Sequence, residues 1–268
     1  MAEVIGHDVS SDMVIDRVPA PTEAEFQREY LHASRPVIFT DVVQTWKAWG
    51  RWSSAYFREV WGAHQVVATP ARAGYAQVNA SKGYLPFREM RMTEALERLE
   101  RGGDEGVYLI VPLDRYLQGL LGELEVPVYC KGRPGLRPRL WMSAPDIGVP
   151  LHRDFSENLV AQVCGVKRFV LYPPEEFHRL YAFPRGAAMP TFCLVDGEAP
   201  DTRRFPRSAD ARRIVVTLRA GEILFLPSRW WHQVRSIESS LSVNFWWAAG
   251  VYAKLIGVAQ RIGLTASV

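Results

Sequence analysis

The alternation of apolar and polar positions divides the chain into two unlike halves. Over the first 125 or so residues, helical periodicities alternate with short strand-like runs. Thr22 and Glu25 make a capping box, followed by Phe26, Tyr30 and Leu31 as one apolar face. Residues 36–39 read as a short buried strand, and Ser53 opens a helix carrying Tyr56, Phe57 and Val60. Residues 65–68 are β-like. Residues 93–101 are helical with Leu96 and Leu99 inward, and Gly102-Gly103 stops them. Residues 107–111 read as a strand and 113–124 again as a helix.

From about residue 140 to 247 short strands take over. Runs at 159–164, 168–172, 214–218, 223–226, 232–236 and 241–246 are separated by tight turns. Gly165-Val166 reads as a hairpin between the first two, and Pro173-Pro174 closes the second. Many short strands with tight connections predict a mainly β fold, a sandwich or barrel with helical elaboration. Residues 184–213, rich in Pro, Asp and Arg, read as a long insertion, and 252–262 as an amphipathic helix. The expected organisation is one domain over 1–268: a mixed elaboration (1–125), a strand-built core (126–250) and a terminal helix (251–268).

Composition narrows the class. With 268 residues, 48% of them hydrophobic, the chain can bury enough surface to fold, which excludes disorder. Three cysteines (Cys130, Cys164, Cys193) exclude a disulfide scaffold, and none forms a CxxC pair. No run of about 18 apolar residues predicts a membrane helix. The first residues carry Glu3, His7 and Asp8 instead of a basic-then-apolar leader. The expected address is cytoplasmic. A net charge of +3 permits an acidic partner without requiring one.

Candidate chemistry centres on His152-Arg153-Asp154. On a strand, residues i and i+2 point to one face, so an imidazole and a carboxylate converge there; on a helix they diverge. Pro150 favours extended backbone at this point. A third donor is available in His232, between Trp231 and Gln233 on a short strand. Two imidazoles and one carboxylate make a facial set suited to non-haem Fe(II) and O₂. Against this, His-x-Asp also occurs by chance, and a lone core histidine is usually just hydrogen-bonded. Lys167 shares a face with Phe169 and Leu171: either it meets an anion, or it lies at the strand end and reaches water. Asn158 and Asn244 are strand amides that need partners, in a ligand or in a neighbouring strand.

These residues resemble a known family. Residues 152–174, HRDFSENLVAQVCGVKRFVLYPP, are similar to the core of JmjC-type, cupin-like Fe(II)/2-oxoglutarate oxygenases, in particular its asparaginyl hydroxylase branch. Residues 221–247, GEILFLPSRWWHQVRSIESSLSVNFWW, match the same group through G-[DE]-x-L-x-x-P-x-x-W-W-H followed by V-N-F-W. The resemblance implies a double-stranded β-helix (jelly-roll) barrel. It implies that His152, Asp154 and His232 bind Fe(II). Lys167 would hold the distal carboxylate of 2-oxoglutarate with the phenol of Tyr108, and Asn158 and Asn244 would lie near its metal-proximal end. Val160, Val234 and Trp246 would line the pocket. The implied reaction couples oxidative decarboxylation of 2-oxoglutarate by O₂, to succinate and CO₂, to hydroxylation of a C–H bond. One departure stands out: the family often places Thr or Ser three residues before the first histidine, and here that position is Val149.

Substrate identity is less legible. Two basic stretches (Lys131, Arg133, Arg137, Arg139; and Arg203, Arg204, Arg207, Arg212, Arg213) either attract an acidic partner or are solvated loops. The insertion is a candidate lid or wall, and Arg153, Arg229 and Gln233 flank the ligands. By analogy the substrate is a protein or peptide; the alternatives are a small-molecule tailoring hydroxylase or a non-oxygenase metal-cupin. Nucleic acid is disfavoured because no base-stacking motif is present. The terminal helix suits a homodimer interface and packing on its own barrel equally well.

Overall fold

The computed structural model describes residues 14–72, 74–76, 86–103, 106–184, 186–187 and 189–248. The expected terminal helix, and His7 with the first residues, lie outside them. The described residues form strands β1 (Asp16–Val18), β2 (Val37–Phe39), β3 (Gln65–Arg72), β4 (Tyr75–Ala76), β5 (Arg88–Arg91), β6 (Val107–Pro112) and β7 (Arg137–Ser143). They continue with β8 (Gly148–Arg153), β9 (Glu157–Cys164), β10 (Val166–Tyr172), β11 (Ile214–Arg219), β12 (Ile223–Leu226), β13 (Trp231–Ser236) and β14 (Ser240–Trp247).

The last eight strands make two antiparallel faces, β7-β14-β9-β12 and β8-β13-β10-β11. The chain passes back and forth between them, which is the jelly-roll topology. The first face is extended by β6, β3 and β5 beyond β7, and by β2 and β1 beyond β12. The first half of the chain therefore widens one wall of the barrel.

Strand alternation sorts the side chains. On β14, Leu241, Val243 and Phe245 face outward into a core with Phe39, Leu109, Leu140 and Phe225. Helices Ser54–Trp61 and Met92–Arg101 cover that core with Phe57 and Leu96. Each starts and stops where its sequence dictates: Ser53 accepts from the Tyr56 amide, and Gly102 ends the second helix at φ 62°. The opposite face of β14, Ser242, Asn244 and Trp246, is turned into the barrel. There Val160, Phe169, Leu224 and Val234 form a second core. One sheet thus presents an apolar face outward and a polar-bearing face inward.

Three local expectations change. Gly165 does not close a hairpin: β9 pairs with β12 and β14, whereas β10 pairs with β11 and β13. The chain crosses there from one face to the other. Gly165 takes φ +73°, and a Cβ on it would stand 2.1 Å from the Ser239 carbonyl oxygen. Residues 113–124 are not one helix. A short α-turn (Leu113–Tyr116) and a 3₁₀ stretch (Gln118–Glu123) meet at Leu117, whose φ −134° and ψ 50° are non-helical. The tighter second segment keeps Leu113, Leu117 and Leu120 all buried. The insertion is not a free loop: Phe192 bridges to His152 and Cys193 to Ala182, and Pro206–Asp210 is a 3₁₀ turn.

Gly165→Ala combines left-handed backbone with a backbone clash, so it is expected to destabilise by about 2–4 kcal/mol. A shift of the urea midpoint at constant slope measures this; an unchanged midpoint would remove the crossing constraint from Gly165.

Candidate active site

The site is built on the pairing of β8 with β13. His152 and His232 are direct cross-strand neighbours, with ring centroids 4.1 Å apart. Asp154 follows β8 by one residue, which returns its side chain to the face of His152. A register shift between His232 and Val234 marks a bulge at Gln233. Bulges re-aim neighbouring side chains, and this one sits beside a candidate ligand.

Each imidazole is oriented from behind. His152 Nδ1 lies 2.8 Å from the Pro150 carbonyl and His232 Nδ1 lies 3.1 Å from that of Trp230. A carbonyl only accepts, so both Nδ1 atoms carry the proton and both Nε2 lone pairs are free. Asp154 Oδ2 accepts from Trp246 Nε1 at 3.0 Å and lies 3.9 Å from His232 Nε2. One donor atom from each of the three residues falls within 4.8 Å of the others. Burial, with His152 beside it, holds the His232 pKa down at about 4, so the ring is neutral at neutral pH. Two imidazoles and one carboxylate aimed at one point are the donor set of a divalent first-row metal, and the residues present fit such an ion.

The three donors open into a cleft that reaches inward to Tyr108 and Lys167. Along β10, Leu171 is in register with His232 and Lys167 with Ser236. Lys167 therefore enters about 13 Å along the strand from the level of the donors. That spacing suits a five-carbon dicarboxylate plus the lysine stem. Lys167 is 2% exposed, which decides between its two readings in favour of burial. Its Nζ donates to Ser242 Oγ at 2.6 Å and lies 6.0 Å from the Tyr108 ring centroid. No carboxylate of the described residues pairs with it, and burial lowers its pKa to about 7. Burial raises the Tyr108 phenol, which stays protonated and able to donate.

Asn158 and Asn244 meet across β9 and β14, Nδ2 of Asn244 donating to Oδ1 of Asn158 at 3.2 Å. Val149, Val160, Val234, Phe169, Leu226, Trp141 and Trp246 complete the walls. All ten residues singled out from sequence for metal or cosubstrate line this one cleft. Sequence reasoning missed Trp141 and Leu226, and the hydroxyl of Ser242, although alternation with Asn244 and Trp246 signals its facing. It also missed Phe192, which stacks on His152 at 5.1 Å and 16°, because nothing local ties the insertion to β8.

Other candidates face elsewhere. Gln233 is 1% exposed and turns away from the cleft: it accepts from the Gly197 amide and donates to Asp196 and Tyr75. The Arg153 guanidinium lies over Trp231, 4.6 Å from the centroid. Arg229 contributes backbone, its N–H donating to the Asp154 carbonyl at 2.7 Å. The second basic stretch is divided: Arg212 pairs with Glu175 and Glu176, and Arg213 donates to the carbonyls of Gly197 and Glu198.

The chain belongs to the cupin-like domain family, which it matches over residues 23–251. Its relatives include Jumonji C proteins, in keeping with the JmjC-type resemblance of the two sequence blocks. It is 31% identical to the human bifunctional peptidase and (3S)-lysyl hydroxylase JMJD7, over 85% of this chain and 81% of that protein. It is 28% identical to lysine-specific demethylase 8 of Xenopus tropicalis, over 90% of this chain and 54% of that protein. It is 26% identical to human tRNA wybutosine-synthesizing protein 5, over 88% and 79% respectively. The chain thus spans only about half the length of the demethylase.

Trp246→Phe removes the N–H that fixes Asp154. Mn(II) affinity, measured by titration calorimetry, is expected to fall about 10–100-fold; an unchanged affinity would separate Trp246 from the metal position.

Proposed function

We propose that this chain is an Fe(II)- and 2-oxoglutarate-dependent oxygenase that hydroxylates a C–H bond of a protein or peptide substrate, forming succinate and CO₂. The observation that carries the reading is one cleft with a two-imidazole, one-carboxylate donor set at one end and a buried, acid-free lysine farther in. His152 and His232 would each present Nε2 to the metal, and Asp154 a carboxylate oxygen. Fe(II), held by these three residues, would supply the activation of O₂.

Lys167 and the Tyr108 hydroxyl would receive the distal carboxylate of 2-oxoglutarate, with Ser242 supplying the hydroxyl that Val149 lacks. Asn158 and Asn244 would face its other end. Val160, Phe169, Leu226 and Val234 exclude water between the two, which strengthens the charge pairing at Lys167. A protein substrate is supported by relatives whose names specify lysine demethylation and lysyl hydroxylation. A small-molecule tailoring role is the second reading, favoured by Phe192, which covers one face of His152. An acid-free buried lysine in the cleft argues against a metal-cupin with no anionic cosubstrate.

The family match over 23–251 supports a single domain. A cytoplasmic address fits three thiols that are all unpaired. No helix among the described residues is long and apolar enough to cross a membrane.

His232→Ala is expected to abolish Fe(II)-dependent conversion of 2-oxoglutarate to succinate, followed by proton NMR; retained conversion would sink the triad assignment. Lys167→Ala should weaken 2-oxoglutarate binding by about 2–5 kcal/mol. The pH dependence has a definite sign. The anion needs the ammonium form, and the free lysine loses its proton near pH 7. Affinity should be full below about pH 7 and fall toward tenfold per unit above it, with proton uptake on binding. Calorimetry between pH 7 and 8.5 in buffers of different ionisation enthalpy reads both; a flat profile would place the carboxylate elsewhere.

A further inference from the structure

Arg139 is a cation that the site described so far does not use. It lies on the inner face of β7, two residues from Trp141 and in register with Asn244 of β14. Its guanidinium stacks on the Trp246 indole, 5.3 Å from the centroid, and that same indole holds Asp154 through its N–H. Arg139 is half-buried, and its Nε is fully buried with no hydrogen-bond partner. Asp154 and Asp114 act on it from beyond ion-pair distance, whereas Arg58, Arg212 and Arg235 each reach a carboxylate directly.

A guanidinium partly withdrawn from water with no carboxylate in direct contact is costly, and stacking on an indole with the fields of more distant acids offsets only part of that cost. Its planar fork of N–H donors matches a carboxylate. Lys167, on the other wall of the barrel, meets Ser242 of β14, whereas Arg139 is in register with Asn244, two residues nearer Trp246, and its guanidinium meets the Trp246–Asp154 end of the cleft from the β7 wall. The next residue outward on the same face, Arg137, is exposed and continues the positive wall.

We propose that Arg139 is the specificity-determining residue of this site, and that it receives a carboxylate of the substrate beside the bond to be oxidised. The inference rests on the oxygenase reading and deepens it: the substrate is an acid, either an aspartate or glutamate side chain in a peptide or a free carboxylic acid.

The test uses protein loaded with Mn(II) and saturating 2-oxoglutarate. The probes are N-acetyl-aspartate amide, its asparagine counterpart, and propionate. Relaxation of probe protons by Mn(II) reads binding beside the triad without turnover, and Mn(II) binding is followed separately by electron paramagnetic resonance. The two acids should be relaxed and the asparagine probe should not. Arg139→Gln should weaken acid binding at least about tenfold, and Arg139→Lys should recover part of it, with 2-oxoglutarate affinity unchanged and Mn(II) kept saturating throughout. A stronger effect on the blocked aspartate marks a peptide source, and equal effects mark a free acid; both support the proposal. Normal Mn(II) binding with equal relaxation of aspartate and asparagine probes overturns the assignment of Arg139 alone. So does a loss of 2-oxoglutarate affinity in Arg139→Gln, which would give the guanidinium to the cosubstrate. Failure of the native protein to bind Mn(II) overturns the site reading on which the proposal rests.

Discussion

The candidate site depends on the cross-strand register of His152 and His232. Two antiparallel strands place these imidazoles side by side, and both Nδ1 atoms are committed to carbonyls two residues upstream. A slip of one residue would turn one ring out of the cleft, because strand side chains alternate faces. Several features guard the register. The insertion adds an edge pairing at His152 through Phe192, and the bulge residue Gln233 is held by Gly197, Asp196 and Tyr75. The insertion therefore supports the metal position from both of its strands.

The second constraint is electrostatic. A lysine sealed among apolar side chains with only a hydroxyl partner is poorly satisfied in the free protein. The fold tolerates it because Ser242, Tyr108 and Ser236 surround it at the inner end of the barrel, and because the two cores carry the packing. On the proposed reading such a group would make the cleft selective for an anion of defined length, since the donor set and the ammonium lie at fixed levels along the strands.

Much of this was legible in the sequence, for identifiable reasons. Period-two alternation marks β14, and its inner face of Ser242, Asn244 and Trp246 follows from that alternation alone. The His-x-Asp pair is readable because i and i+2 share a face of a strand. Pairing partners are not readable from local pattern. Gly165 looks like a hairpin turn, and only the positions of β12 and β14 show that it is a crossing between faces. Leu117 breaks an apparently continuous helix because three leucines must all reach one core. Phe192 on His152 and Gln233 against Gly197 join segments about 40 residues apart, beyond any local signal. Arg139 reads in sequence as one of four charges on a basic stretch; in the barrel it shares a face with Arg137, but it alone is half-buried and stacked on Trp246.

The central claim is that the donor set and Lys167 hold one metal–cosubstrate pair. Anaerobic visible spectroscopy addresses it most directly, because a 2-oxo acid chelating Fe(II) produces a charge-transfer absorption that neither component shows alone. This band is expected with Fe(II) and 2-oxoglutarate together, with its loss in His232→Ala and a higher 2-oxoglutarate requirement in Lys167→Ala. Absence of the band in the native protein, or an identical titration in the lysine variant, would contradict it.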